Sequence, residues 1–259
     1  MLKRERLTKI LQMVNDKGIV DTADIMEALA VSDMTVRRDL DELEKAGKLI
    51  RVRGGAQSLD YNIDFELSHL QKSTVQIEEK LAIARCAAQA VQDHETIFLG
   101  PGTTLEMMAT LLPDRDVRVV TPSLPAFEAL KDKLQDRVVL VGGTYRSNTG
   151  TFAGTLTNQT LRDLKFTKAF ISCNGIADDE LTTSSLEEGE MQAIACRNAR
   201  NVYLLADSRK FNREDFYVYE HLYNIDELIT DSTLSQDVAD HYREYTRIRQ
   251  VKVKNEEEQ

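Results

Sequence analysis

Val31-Ser32-Asp33-Met34-Thr35-Val36-Arg37-Arg38-Asp39-Leu40 is the stretch on which the reading of this chain turns. Ser32 can cap a helix by accepting a hydrogen bond from a free amide of its first turn. Val36, Leu40 and Leu43 follow at i, i+4 and i+7, the spacing of one buried helical face, and Gly47 ends the run. Asp33, Met34, Thr35, Arg37 and Arg38 point outward near the helix start. In a helix-turn-helix these early positions of the second helix reach base edges in the major groove. An arginine there can bond guanine O6 and N7 together or neutralise a phosphate, and Arg37 and Arg38 leave both roles open.

Working outward, Leu7, Ile10, Leu11 and Val14 mark an amphipathic first helix that ends near Lys17-Gly18. Thr22 is expected to cap a second helix burying Ile25, Met26 and Leu29, with Ala30-Val31-Ser32 as the tight turn. After the third helix, Leu49-Ile50-Arg51-Val52-Arg53-Gly54-Gly55 reads as a strand ending in glycines. It suits a wing that lays Arg51 and Arg53 along the DNA backbone, where residues lacking a Cβ allow close approach. The same periodicity fits a three-helix protein–protein module with solvated arginines, and spacing alone does not separate the two.

The charge supports the first reading once it is divided. The chain carries a net −10 over 259 residues, but residues 1–58 hold 11 basic and 10 acidic side chains. The acidity therefore lies behind them, while Lys45, Lys48, Arg51 and Arg53 form a run with no acid between. A local cluster outweighs the global sum because the Debye length is about 8 Å in physiological salt. Hydrophobic content of 42% and charged content of 29% are those of an ordinary globular protein. No apolar run approaches the roughly 20 residues that cross a bilayer, and Met1 to Arg6 is no secretory signal. Cys86, Cys173 and Cys196 have no metal-like spacing, so free thiols, a cytoplasmic setting, no structural metal and no cofactor are expected.

The chain is long enough for a small domain and a medium one. We place the winged helix-turn-helix at 1–56, a linker at 57–75 and an α/β domain at 76–259. The linker lacks Gly/Ser or Pro enrichment and is not read as a free tether. Beyond it, helix 78–91 leads into Thr96–Leu99. Further strand candidates are Val117–Thr121, Arg137–Val141, Lys168–Ser172, Val202–Ala206 and Glu227–Thr230. Continuous β-rich runs alternating with helices indicate a mainly parallel sheet covered on both faces. Ligands in such folds bind beyond the carboxyl ends of the strands. Three loops lie there. Gly100-Pro101-Gly102-Thr103-Thr104 opens a helix and suits a phosphate through free amides and the helix dipole, although Gly-Pro-Gly also simply turns a chain. Asn174-Gly175 follows the fourth strand candidate. Asp207-Ser208-Arg209-Lys210 follows the fifth, where Lys210 can reach a phosphate or stay solvated, and Asp207 can accept from hydroxyls or cap the next turn. Glu187 and Glu188 are either a functional acid pair or the charged first turn of a helix. Lys72 and Lys80 can close on a ligand from the linker side or stand as surface charges.

The block from Val31 to Leu40, with Gly47 and Arg53-Gly54-Gly55-Ala56, resembles the signature of the DeoR family of bacterial repressors. Gly100–Thr104, Val141-Gly142-Gly143, Phe170–Gly175, Leu181-Thr182-Thr183, Ala206–Phe211 and Ile229-Thr230-Asp231 recur in order as landmarks similar to that family's sensor domain. The resemblance implies a winged helix-turn-helix on operator DNA, with Ser32, Asp33, Met34, Thr35, Arg37, Arg38, Arg51 and Arg53 at the interface. It also implies a ribose-5-phosphate isomerase-like fold that binds a phosphorylated sugar. Gly100, Pro101, Gly102, Thr103, Thr104, Asn174, Gly175, Glu188, Asp207 and Lys210 would line that site. The run Phe98–Thr104 is especially similar to family members that control lactose and galactose catabolism, which implies tagatose 6-phosphate as inducer. Asn174–Ala177 and Thr149–Ala153 depart from that pattern.

A homo-oligomer is expected, dimer or tetramer, because one recognition helix buries too little surface for specific affinity. An enzymatic alternative is a sugar-phosphate isomerase carrying a DNA-binding head. Such an isomerase has an acidic Asp-Gly-Ala-Asp-type loop, whereas Asn174 stands beside Gly175 here, and an amide cannot serve as the proton-transferring base. Glu188 keeps that alternative open.

Overall fold

The computed structural model describes residues 3–17, 19–52, 54–58, 73 and 75–253. Gly18, Arg53, Lys72 and most of the expected linker lie outside the described residues. The chain divides into units Met1–Glu66 and Leu67–Gln259.

The first unit runs α1 (Lys3–Lys17), β1 (Ile19–Asp21), α2 (Thr22–Leu29), α3 (Asp33–Lys45), β2 (Ile50–Val52) and β3 (Gly55–Gln57). Ile10 and Val14 of α1, Ile25 of α2 and Val36, Leu40 and Leu43 of α3 close on one another with Val20, Leu49 and Ala56. The strands pair antiparallel in the order β1-β3-β2. Gly55 permits this: a Cβ there would lie 2.1 Å from the Val20 carbonyl oxygen. One expectation is corrected. β1 went unforeseen, and it delivers the chain to α2 with Asp21, not Thr22, in the extended N-cap conformation. Thr22 is the first helical residue, and its hydroxyl donates to the Gly54 carbonyl at 2.8 Å, tying α2 to the wing.

The second unit opens with α4 (Ile77–Gln89), β4 (Thr96–Leu99), α5 (Thr103–Leu111), β5 (Arg118–Thr121), α6 (Leu124–Leu134) and β6 (Val138–Leu140). A hairpin of β7 (Thr144–Arg146) and β8 (Thr151–Ala153) precedes α7 (Thr155–Arg162) and β9 (Phe166–Ile171). Then come β10 (Gly175–Ala177), β11 (Glu180–Thr183), α8 (Leu186–Asn198), β12 (Ala199–Leu205), β13 (Tyr217–His221), β14 (Glu227–Asp231), α9 (Gln236–Tyr242) and β15 (Ile248–Val251).

Seven strands form a parallel sheet in the order β15-β14-β12-β9-β4-β5-β6. Side chains alternate across it, as strand geometry requires. Ile97, Leu99, Phe170, Leu205 and Ile229 pack on one side with residues of α4, α5 and α6. Phe98, Ala169, Ile171, Leu204 and Leu228 pack on the other with α7, α8 and α9. Both faces are thus buried, which is why these strands are apolar throughout. From β4 the chain builds outward through β5 and β6, then returns to place β9 on the opposite side of β4. That reversal is a topological switch point, where loops diverge and leave a crevice.

Candidate functional site

A cavity of about 690 Å3, open solvent at its mouth included, lies at the carboxyl ends of the adjacent strands β4, β9 and β12. Pro101, Gly102, Thr103, Thr104, Asn174, Glu188, Asp207 and Lys210 all line it. Gly100 and Gly175 do not. Gly100 instead holds the loop down, its amide donating to the Phe170 carbonyl at 2.9 Å. At Gly175 a Cβ would meet the Arg213 carbonyl oxygen at 2.4 Å, a packing constraint.

One wall is suited to an anion. Gly102 is the N-cap of α5 and offers no side chain to cap it, with φ of 128°, a conformation that L side chains rarely adopt. A Cβ there would stand 2.7 Å from the Ser172 hydroxyl oxygen, so loop and strand end approach only because this residue is glycine. Ser172 holds its place by donating from its hydroxyl to the Pro101 carbonyl at 2.7 Å. The unclaimed amides at the start of α5 and the positive end of its dipole face the ligand space. Lys80 and Lys210 flank them. Of the two positions weighed for Lys80, the structure shows the one beside the ligand space: it is 5% exposed on α4 and lines the cavity.

The other wall is acidic and amide-bearing. Glu188 is buried on α8, and its carboxylate accepts from the Thr149 hydroxyl at 2.5 Å, with the Arg146 guanidinium 3.4 Å away. Glu187 is exposed and shares Arg146 with Glu188, its carboxylate 3.7 Å from the guanidinium. Its carboxyl is held below the usual range by a backbone hydrogen bond and by the Ser185 hydroxyl. Asn174 donates to Asp215 at 2.7 Å and to Ser184 at 3.2 Å. Asp207 is buried, lines the cavity and accepts from the Arg209 amide at 3.2 Å, capping the short turn Ser208–Lys210. Gln192 accepts from the Ser172 amide at 3.1 Å. Burial pushes the Cys173 thiol up to about 12, against the opposing pull of Lys210, and it enters the cavity neutral. Sequence reasoning missed Thr149, Ser172, Thr183 and Gln192, which come from separate elements and share no local pattern. Among the described residues, no group of three or more His, Cys, Asp and Glu side chains is placed to hold a metal ion. No helix among them is long and apolar enough to cross a membrane.

In the first unit, Ser32 is the N-cap of α3, accepting from the Thr35 amide at 3.4 Å. Asp33, Met34, Thr35, Arg37 and Arg38 follow on the first turns, with Met34, Arg37 and Arg38 exposed. Arg37 donates to Asp33 at 2.7 Å. Arg51 donates to Asp41 at 2.8 Å and to the Arg37 carbonyl at 3.1 Å, packing the wing against α3. Arg53 lies outside the described residues. Asp39, quoted in the signature block but given no role there, is buried in α3 and takes Arg6 of α1 in two bonds of 2.5 and 3.1 Å.

A winged helix-turn-helix followed by a parallel α/β unit with an anion-suited cavity at its switch point defines a two-part regulatory class. The chain belongs to the DeoR family: residues 6–62 match the DeoR-like helix-turn-helix domain and residues 75–232 the DeoR C terminal sensor domain. It is 44% identical over 233 residues to the lactose phosphotransferase system repressor of Streptococcus mutans serotype c, covering 89% of this chain and 93% of that protein. Identity to the lactose phosphotransferase system repressor of Lactococcus lactis subsp. lactis is 40% over 251 residues, covering 96% and 98%. Among solved structures, ribose 5-phosphate isomerase A from Methanocaldococcus jannaschii superposes with a TM-score of 0.38 at 19% identity, covering 51% of this chain and 53% of that one.

Proposed function

We propose that this protein is a DNA-binding transcriptional repressor of a lactose-utilisation operon, released or engaged by a phosphorylated sugar in the cavity of its second unit. The observation that carries the reading is similarity across both units at once, at 40–44% identity, to relatives that are lactose phosphotransferase system repressors. Gly102, Thr103, Thr104, Lys80 and Lys210 take the phosphate, and Glu188, Asp207 and Asn174 accept or donate at the sugar hydroxyls. Tagatose 6-phosphate is the sugar we assign, and the sensing is not enzymatic. Ser32, Asp33, Met34, Thr35, Arg37, Arg38, Arg51 and Arg53 form the operator face. A homo-oligomer places two copies of α3 on successive major grooves. The sugar changes operator affinity only by binding one state of that oligomer better than another.

The test is a thermal-shift series on the full chain with tagatose 6-phosphate, galactose 6-phosphate, ribose 5-phosphate, inorganic phosphate and lactose. Ligand at a hundredfold over Kd should raise the midpoint by about 5 °C or more. A shift with none of the phosphosugars sinks the sensor assignment, and turnover of any of them sinks the non-enzymatic clause.

A further inference from the structure

Of the residues at the front of α3, most are already occupied. The Ser32 oxygen caps the helix, and its hydroxyl and that of Thr35 bond each other at 2.9 Å. Asp33 holds the Arg37 guanidinium at 2.7 Å. Arg51 is spent on Asp41 and on the Arg37 carbonyl. Two residues stand apart. Met34 is 81% exposed, the most exposed of the large hydrophobic side chains. Arg38 is exposed and has no hydrogen-bond or ion-pair partner among the described residues.

We propose that Met34 and Arg38 are the base-reading pair of this protein, Met34 against a thymine methyl and Arg38 against a neighbouring guanine, while Arg37 is a brace that neutralises Asp33. The inference rests on the operator-binding function proposed above. Residues 34 and 38 are four apart, so they lie on one helical face with Cβ atoms about 5–6 Å from each other. With bases spaced about 3.4 Å along a strand, the two contacts fall one or two steps apart. An apolar side chain held in water contributes nothing to the free protein's stability. In the major groove of unmodified DNA its apolar counterpart is the thymine C5-methyl. The thioether's flexibility suits that contact. Arg38 can reach guanine O6 and N7 bidentately. Arg37 is poorly placed to do the same: drawing it onto DNA would strip Asp33 of its counter-charge and leave a bare carboxylate facing the polyanion.

The experiment selects duplexes from a random pool with the full-length protein. In a selected duplex each thymine is then replaced in turn by uracil, which lacks only the methyl, and each guanine by 7-deazaguanine, which lacks N7. Anisotropy titrations at fixed salt compare the wild type with Met34→Ala, Arg38→Ala and Arg37→Ala. Circular dichroism melts verify that these exposed-site variants fold. We expect uracil at one position per half-site to weaken the wild type about fourfold, the fold-change for burying one methyl. The Met34→Ala protein should not register that replacement. One or two steps away, 7-deazaguanine should cost the wild type about tenfold and Arg38→Ala nothing further. Arg37→Ala should keep both discriminations. The proposal is overturned if Met34→Ala remains sensitive to uracil, or if Arg37→Ala rather than Arg38→Ala loses the 7-deazaguanine effect. A pool that yields no enriched duplex overturns the operator-binding reading itself, a separate result.

Discussion

The Thr149 hydroxyl donates to the Glu188 carboxylate at 2.5 Å, joining the turn of the β7–β8 hairpin to the acidic wall of the cavity. Arg146, from the same hairpin, stands 3.4 Å from that carboxylate and also contacts the Ser185 hydroxyl. Glu188→Gln preserves shape and one accepting oxygen but removes the charge that both partners use. It should cost about 1–3 kcal/mol in urea unfolding, the range for hydrogen bonds to charged groups. The same variant should also blunt the thermal shift produced by sugar phosphates. Unchanged unfolding together with an unchanged ligand response would show that this carboxylate does neither job.

Lys80 and Lys210 approach the α5 N-terminus from different elements, α4 and the turn after β12. Lys80→Met keeps the buried stem and removes the charge. Phosphosugar affinity should fall by about tenfold or more, the worth of one charge-assisted hydrogen bond. Lys210→Ala should weaken the ligand response too while leaving binding to a selected duplex intact. Isothermal titration separates the two effects, and full affinity in Lys80→Met would remove this lysine from the phosphate site.

The central strands were readable where burial on both faces makes apolar runs, as in Thr96–Leu99 and Val202–Leu205; β12 in fact begins three residues earlier, at Ala199, where Arg200 and Asn201 break the run. β7, β10 and β15 were not, since three or four residues with mixed exposure carry no period. Lys80 and Asp39 are more instructive. Lys80 precedes Ile83, Ala84 and Ala87 at i+3, i+4 and i+7, and Asp39 falls between Val36 and Leu43 on the same stripe. Each is an ionisable residue on an apolar helical face, a signal present in the sequence that points to burial. Thr149 and Gln192 had no such signal, because sheet topology alone brings their elements to the cavity.

Burial pushes the thiols of Cys173 and Cys196 and the phenol of Tyr219 upward, Cys173 to about 12 from an ordinary 9.0. A raised acid keeps its proton in the folded chain after the unfolded chain has lost it. Folding stability is therefore intact below about pH 9 and declines as pH rises toward 12. The decline approaches about 1.4 kcal/mol per pH unit for each such group. Urea midpoints between pH 8 and 11 should fall, and Cys173→Ala should flatten part of the slope. A flat profile over that range would contradict the burial of these groups.

Arg6 and Asp39 tie α1 to the inward face of α3, with Asp39 only 1% exposed beneath the helix that carries Met34 and Arg38. Hydrogen bonding to Asp39 raises the Arg6 guanidinium above its ordinary value, so the pair remains charged on the arginine side throughout the working range. Asp39→Asn leaves Arg6 without its carboxylate, and Arg6→Lys offers one nitrogen where two, held in a planar fork, now bond the two carboxylate oxygens. Both variants should unfold the first unit at lower temperature and weaken binding to a selected duplex. The loss should be uniform across thymine-to-uracil and 7-deazaguanine replacements, because the reading residues are untouched and only the angle of α3 is loosened. Arg6→Ala combined with Asp39→Ala should be less damaging than either Asp39→Ala or Arg6→Ala alone, since neither charge is then stranded. Additive losses in that double variant would mean that the two side chains act independently and that the pair does not position α3.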